Sequence, residues 1–422
     1  MKLNKIALIA ILALGSIFTI EAQTRSPYSK FGFGLLNDNT TSAQRAMGGV
    51  GYAMNSGRQI NVMNPASYAA IDSLTFLFDM GLDLNMSWSS EHSTDGENIH
   101  GSNVGGGIDY ITMQFPITRY MGMSIGMLPY SSVGYSFGSE IVNGSSAREG
   151  TGGINELYAG LSVNPFKNAY IGANFGYLWG TIVNSAYGYT DSGATSLFER
   201  VMKVQDFHMQ FGVQYAIDFS KQDRMVIGAV YSPAQKLHGK TWGSYYDIDQ
   251  DKSTKTDSVG LTNLKDAFSL PETWGGGISY QHKGFMVEAD YTYQPWSKAK
   301  SGAIKNNDEI VYEQADYSDR WKASLGFQYR PKARGSYFEL VNYRLGAYYN
   351  HGYVKAQGNN ICDYGITLGF GLPVPKNKTM INLGFEYMRR EANPNPLITE
   401  DYFNITLGVN FNEMWFWKNK IR

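Results

Sequence analysis

From Leu74 onward the chain alternates with period two. Leu74, Phe76, Phe78, Met80, Leu82, Leu84, Met86 and Trp88 are apolar, while Thr75, Asp79, Gly81, Asp83, Asn85 and Ser87 between them are polar or small; Leu77 is the exception. Neighbouring side chains of a strand point to opposite faces, so this spacing predicts a strand with one greasy face. The pattern returns at Phe207/Met209/Phe211/Val213/Tyr215/Ile217, Trp321/Ala323/Leu325/Phe327/Tyr329, Tyr364/Ile366/Leu368/Phe370/Leu372 and Phe403/Ile405/Leu407/Val409/Phe411. Each run, with its flanks, reaches the roughly 9 to 11 positions of a tilted membrane-spanning strand.

The opposite face separates a barrel in lipid from a soluble sandwich. Facing bulk water it would carry Lys and Glu. Here it is small or uncharged, as in Gly172/Asn174/Gly176 and Gln210/Gly212/Gln214, which suits an enclosed lumen. Trp88, Trp179, Trp274, Tyr293, Trp296, Trp321 and Tyr349 fall near strand ends, where amphipathic rings fit a headgroup layer.

The pattern predicts fourteen strands, beginning near Leu74, Ile108, Met121, Ile154, Ala169, Val204, Arg224, Thr273, Phe285, Ser318, Leu340, Cys362, Thr379 and Tyr402. Brief turns at 118–120, 164–168, 218–223, 281–284 and 373–378 alternate with longer polar loops, so the brief ones are expected on the periplasmic side. The longest loop, Ser232 to Glu272, carries Leu264, Ala267 and Phe268 at helical spacing and is expected to cap the mouth. The fold expected is all-β: a 14-stranded antiparallel transmembrane β-barrel with an N-terminal hatch inside its lumen.

The N-terminus sets the compartment. Lys2 and Lys5 precede an apolar run from Ala7 to Ile20, and the small Ala22 stands before Gln23, as in a secretory signal peptide spanning 1–22. Residues 23–73 are rich in Gly, Ser and Asn and carry no strand pattern. A segment of that length suits a compact plug, leaving 74–422 as the barrel. No later stretch is apolar enough for a membrane helix, and the expected location is the cell outer membrane.

Composition agrees: 47 Gly, 30 Tyr, 22 Phe and 8 Trp fit many strands with aromatic girdles. The single cysteine, Cys362, forms no internal disulfide, and a net charge of −1 offers nucleic acid nothing.

Catalytic and metal chemistry finds little footing. The six histidines are scattered without zinc spacing, and Asp247/Asp249/Asp251 imitate a calcium loop but lack its Gly and closing Glu. No Ser, His and acid fall together on adjacent strands, so no catalytic residue, cofactor or metal is expected and the chain does not read as an enzyme. Alternation places Glu288, Asp290 and Lys322 on the lumen side, with Asp79, Asp83, Arg330 and Arg344 adding charge. These are expected to pair or to tether the plug. Gly48-Gly49 and Gly275-Gly276-Gly277 lack a phosphate-loop setting and fit close backbone packing instead.

The chain resembles the FadL-type family of outer-membrane transporters for hydrophobic compounds. The likeness is carried by Asn64-Pro65-Ala66 before the first strand, Leu270-Pro271-Glu272-Thr273-Trp274 entering the eighth and Ala289-Asp290-Tyr291 in the ninth. Ser26-Pro27-Tyr28-Ser29 and Ala46-Met47-Gly48-Gly49 look like the Bacteroidota branch. The resemblance implies passive uptake of a small hydrophobic ligand, fatty-acid-like or aromatic, past an N-terminal hatch and sideways through a break in the third strand. Here that break would fall at Pro129-Tyr130-Ser131, because proline cannot donate to a ladder. Expected partners are outer-membrane lipids, the hydrophobic ligand and other outer-membrane proteins. The alternative role is a structural or accessory subunit of a Bacteroidota secretion or outer-membrane assembly complex.

Overall fold

A computed structural model describes residues 26–92, 98–141, 143–191, 195–249, 252–300, 316–375 and 377–414. The expected signal peptide, 1–22, lies outside them. Fourteen antiparallel strands close into a ring: β1 (Thr75–His92), β2 (Asn98–Thr118), β3 (Met121–Ile141), β4 (Gly144–Phe166), β5 (Ala169–Thr190), β6 (Thr195–Asp218), β7 (Asp223–Ser232), β8 (Thr273–His282), β9 (Phe285–Gln294), β10 (Arg320–Tyr329), β11 (Asn342–Ala356), β12 (Asn359–Pro373), β13 (Met380–Asn393) and β14 (Ile398–Met414). The last strand pairs with the first, from Met414 opposite Thr75 to Ile398 opposite Glu91.

Alternation produces the ring as expected. On β6, Phe207, Met209, Phe211, Val213 and Tyr215 are each 43–55% exposed, a greasy outer face, while Gln214 between them is buried. The five turns expected to be brief fall at one end, although one as brief, residues 357–358 between β11 and β12, closes the other end. Several strands extend further than expected at the other end: β2 begins at Asn98 rather than Ile108, β4 at Gly144 rather than Ile154 and β6 at Thr195 rather than Val204. These extensions rise beyond a membrane's depth, where no lipid enforces the alternation, so the period that finds strands does not mark their ends. One connection at the short-turn end is long, residues 330–341 between β10 and β11, and carries the single-turn helix α1 (Tyr337–Leu340).

The Ser232–Glu272 loop divides in two. Gly239–Asp249 and Lys252–Asn263 form a hairpin that continues the wall by pairing with β6. The turn Leu264–Ala267 then folds back, burying Leu264, Ala267 and Phe268. They join an apolar cap with Phe33, Trp296 and Tyr353; Phe33 lies 5.5 Å from Phe268 and 5.9 Å from Trp296 between ring centroids. Trp296 is therefore a correction: it is fully buried in this cap, not at a lipid interface. Position near a strand end does not distinguish a ring facing lipid from one turned inward over the mouth.

Residues 26–73 lie inside the ring, and the small residues of the lumen face have a specific purpose there. A Cβ at Gly228 would stand 1.9 Å from the Tyr52 carbonyl oxygen, and one at Gly346 would stand 2.1 Å from the Gly48 nitrogen. The wall is glycine where the inner segment's backbone lies directly against it. Gly48 itself has φ +74°, and its own Cβ would meet the Ala347 backbone at 2.9 Å, so both sides of this contact require glycine.

Candidate functional site

Three features converge in the lumen: the bonds that seat the inner segment, a parting in the wall and a charged chamber behind that parting.

Buried carboxylates on β9 seat the turn at residues 51–53. Asp290 Oδ2 accepts from the backbone N–H of Gly51 at 2.6 Å and of Tyr52 at 2.9 Å, and Glu288 Oε1 accepts from that of Ala53 at 2.9 Å. Each bond satisfies a buried backbone donor that would otherwise be left without a partner. Asn64 is fully buried; its Nδ2 donates to the carbonyls of Tyr52 at 2.7 Å and Val213 at 3.2 Å, and its Oδ1 accepts from the Ala66 N–H. Asn64 thus caps the 3-10 turn Pro65–Ala70, and Ser162 on β4 bonds the Ala66 carbonyl. The Asn64-Pro65-Ala66 triplet is a structural clasp in this chain.

The wall parts between β2 and β3. These strands pair only from Thr118 opposite Met121 to Ile111 opposite Met127, and above that level the described residues show no further pairing between them. Seven paired positions at ~3.3 Å rise and ~40° tilt span roughly 15–18 Å, so the parting opens inside the outer half of a ~25 Å apolar band. Pro129-Tyr130-Ser131 stands just above it. Tyr130 is the extra residue of a bulge in the β3–β4 register, with Pro129 opposite Asn155 and Ser131 opposite Ile154. The inner segment occupies the edge that β2 leaves free: Leu35 pairs with Ser132 and Leu36 with Ser131, the Asn37 N–H donates to the Tyr130 carbonyl at 3.0 Å, and the Ser26 N–H to that of Gly134 at 2.6 Å.

Behind the parting lies a chamber of about 280 Å³ reached by Ile108, Pro129 and Ser132. Its wall carries four basic and five acidic side chains: Arg45, Arg320, Lys322 and Arg390 with Asp38, Asp83, Asp109, Asp363 and Glu386. Arg45 pairs with Asp109 at 2.8 Å; Arg320 pairs with Asp38 at 2.9 Å and Lys322 with the other oxygen of Asp38; Arg390 pairs with Asp363 at 2.7 Å. Burial alone would lower the Arg45 guanidinium's pKa, but Asp109, Asp83 and Glu386 outweigh it and raise it. Burial would likewise raise Asp38, yet Lys322 and Arg320 prevail and hold its carboxyl well below the ordinary range.

That depressed value fixes a pH response. A carboxyl whose folded pKa lies below its unfolded one stabilises the fold fully above the unfolded value and loses that contribution as pH falls through the folded value. Release of the inner segment, followed by a fluorophore at Asn37, is expected to be flat from about pH 8 to pH 5 and to rise only below about pH 3. The Asp38→Asn variant is expected to show greater release across the neutral range and to lose the acid step.

The residues singled out from sequence separate accordingly. Glu288, Asp290 and Lys322 bond the inner segment, while Asp83 lines the chamber. Asp79 accepts from the Tyr110 hydroxyl at 2.8 Å and Asn410 at 3.0 Å, and Arg344 donates to Gln328 and Asn382. Arg330 is a correction: it follows β10 on the rim beside Lys283 and Lys332, outside the lumen, because the strand ends one residue before it. Sequence reasoning missed Asp38, Arg45, Asp109, Arg320, Asp363, Glu386 and Arg390. Arg320 shares the parity of Lys322 and was findable. Asp109 was not, since it sits in a bulge opposite Gly81 and Leu82 that turns both it and Tyr110 inward.

A family model described as BamG matches residues 2–422. The chain belongs to the BamG family. No curated protein matches this BamG-family chain. Its fold is shared by the Pseudomonas putida toluene transporter TodX at 15% identity and TM-score 0.61, covering 90% of this chain and 99% of that one. A Pseudomonas aeruginosa FadL homologue matches at 13% identity and TM-score 0.60, with 90% and 99% covered. The Ralstonia pickettii toluene transporter TbuX matches at 16% identity and TM-score 0.55, with 89% and 98% covered. The FadL-type likeness expected from sequence thus holds for this BamG-family barrel at the level of the fold.

Proposed function

We propose that this protein is an outer-membrane channel for passive passage of small hydrophobic compounds, in which residues 26–73 act as the hatch and the β2–β3 parting as the side door. The observation that carries this reading is the exchange of partners along β3: β2 leaves it above Met127, and the hatch strand Leu35–Leu36 takes the vacated edge. A short strand held by few pairs can leave again, which a barrel strand bonded along both edges cannot. Solved proteins with this fold are described as toluene transporters, which agrees with the reading. Purified protein in liposomes is expected to speed equilibration of a small aromatic tracer well above empty liposomes while leaving a sugar of similar size excluded. Equal passage of both, or of neither, overturns the proposal.

A second reading, a structural or accessory subunit of an outer-membrane assembly or secretion complex, is favoured by the long connection at the short-turn end. It exposes Phe338 at 73% and Tyr337 at 43% beside Lys332 and Arg334, a greasy and basic projection on the side expected to be periplasmic. A stoichiometric complex that survives detergent extraction and dissociates on Phe338→Ser, together with no tracer flux, would select this reading.

A further inference from the structure

A wholly apolar permeant can cross the chamber behind the side door but gains nothing by stopping there, since charged walls repay none of the cost of displacing water from them. Its charges are also unevenly shared. On the β1, β2 and β13 side, Arg45 faces the three carboxylates of Asp83, Asp109 and Glu386 and forms an ion pair with Asp109, while Arg390, also on β13, is taken up by Asp363 on β12. Glu386 instead accepts neutral donors, the Tyr348 hydroxyl at 2.5 Å and Asn404 at 3.1 Å, and Asp83 accepts from Asn85 at 3.3 Å. On β10, three strands from β13 around the ring, the balance reverses: Arg320 and Lys322 share the one carboxylate of Asp38.

One further atom points to a missing guest. Asn85 is 4% exposed and lines the chamber, yet its Oδ1 accepts no hydrogen bond among the described residues. A buried acceptor left open is costly, and this one stands beside the carboxylate of Asp83, to which the same side chain donates. An ammonium group has three donors and a positive charge, which is what Asn85 Oδ1, Asp83 and Glu386 together lack.

We propose that the chamber is a binding site for a zwitterionic polar group, an ammonium joined to a phosphate, whose ammonium sits among Asp83, Glu386 and Asn85 and whose phosphate faces Arg320 and Lys322. This deepens the channel reading and rests on it: the permeant would be an amphiphile, with its tail in the parting at Pro129 and its head in the chamber. The cavity, about 280 Å³, is of the order that a small head group fills. The same group occurs on a lipid or free in solution, and the parting's depth within the outer half of the apolar band suits delivery by lipid.

The test is phosphorus NMR titration of the full chain in detergent, with phosphatidylethanolamine, phosphatidylglycerol and water-soluble glycerophosphoethanolamine as probes. Phosphatidylethanolamine is expected to bind at least tenfold more tightly than phosphatidylglycerol, and Asp83→Asn with Glu386→Gln to abolish that preference. Heat-dependent migration on gels confirms that the variants remain folded. Binding of the soluble probe as well would support the site and assign a free source, whereas binding of the lipid alone would support it with membrane delivery. Equal affinity for the two lipids, or a preference unchanged in the double variant, overturns the inference. Tracer flux measured in parallel separates the two proposals: flux without selective binding overturns this site alone, and selective binding without flux overturns the channel alone.

Discussion

A disulfide between cysteines placed at Leu36 and Ser131 is expected to reduce tracer flux to that of empty liposomes, and reduction to restore it. The two Cα atoms are direct antiparallel partners, so they stand about 4.5–5.5 Å apart, within the reach of a disulfide. The bond would tie the hatch strand to the edge of β3 that β2 has left, holding the side door shut while leaving the rest of the hatch untouched. The native Cys362 is buried on β12. A control pair across β4 and β5, Ala159→Cys with Phe175→Cys, crosslinks strands paired along their whole length and is expected to leave flux unchanged. Undiminished flux through the oxidised Leu36–Ser131 protein would exclude passage by this route.

The opposite effect is expected from Asp290→Ala. The substitution leaves the N–H groups of Gly51 and Tyr52 buried without an acceptor, at about 1–3 kcal/mol each, in a turn that the β9 wall otherwise holds. A hatch loosened there would expose the lumen, and planar-bilayer recordings are expected to change from closed to frequent openings. Both bonds end on Oδ2, so Asp290→Asn keeps an oxygen in place to accept both without the negative charge and is expected to fall between. If alanine and asparagine behave like the unaltered protein, the carboxylate is not what seats the hatch.

How much of this was legible beforehand follows from what enforces each feature. The strands of the membrane band could be read because lipid permits only apolar residues on one face, so Phe207 through Tyr215 had to alternate. The polar role of Glu288, Asp290 and Lys322 followed from the same parity. The parting did not, since a strand that loses its neighbour keeps its own side-chain alternation. Pro129 marked the place without showing that the hatch fills it. Asp109 was concealed by a single extra residue in register, and Arg45 and Asp38 by lying in a segment with no period at all. Small lumen residues pointed to an interior without revealing their use as bearing surfaces for another backbone.

The first described residues are fastened to the last strand of the ring. Ser26 Oγ donates to Glu400 at 2.8 Å, and the Tyr28 hydroxyl donates to the Ile398 carbonyl at 2.5 Å while accepting from the Ile398 N–H at 3.0 Å, across more than 360 residues of sequence. Contacts so distant along the chain are the slowest to form. The N-terminal segment, although made and exported first, has nowhere to settle until β14 is in place, so its burial reports completion of the entire barrel.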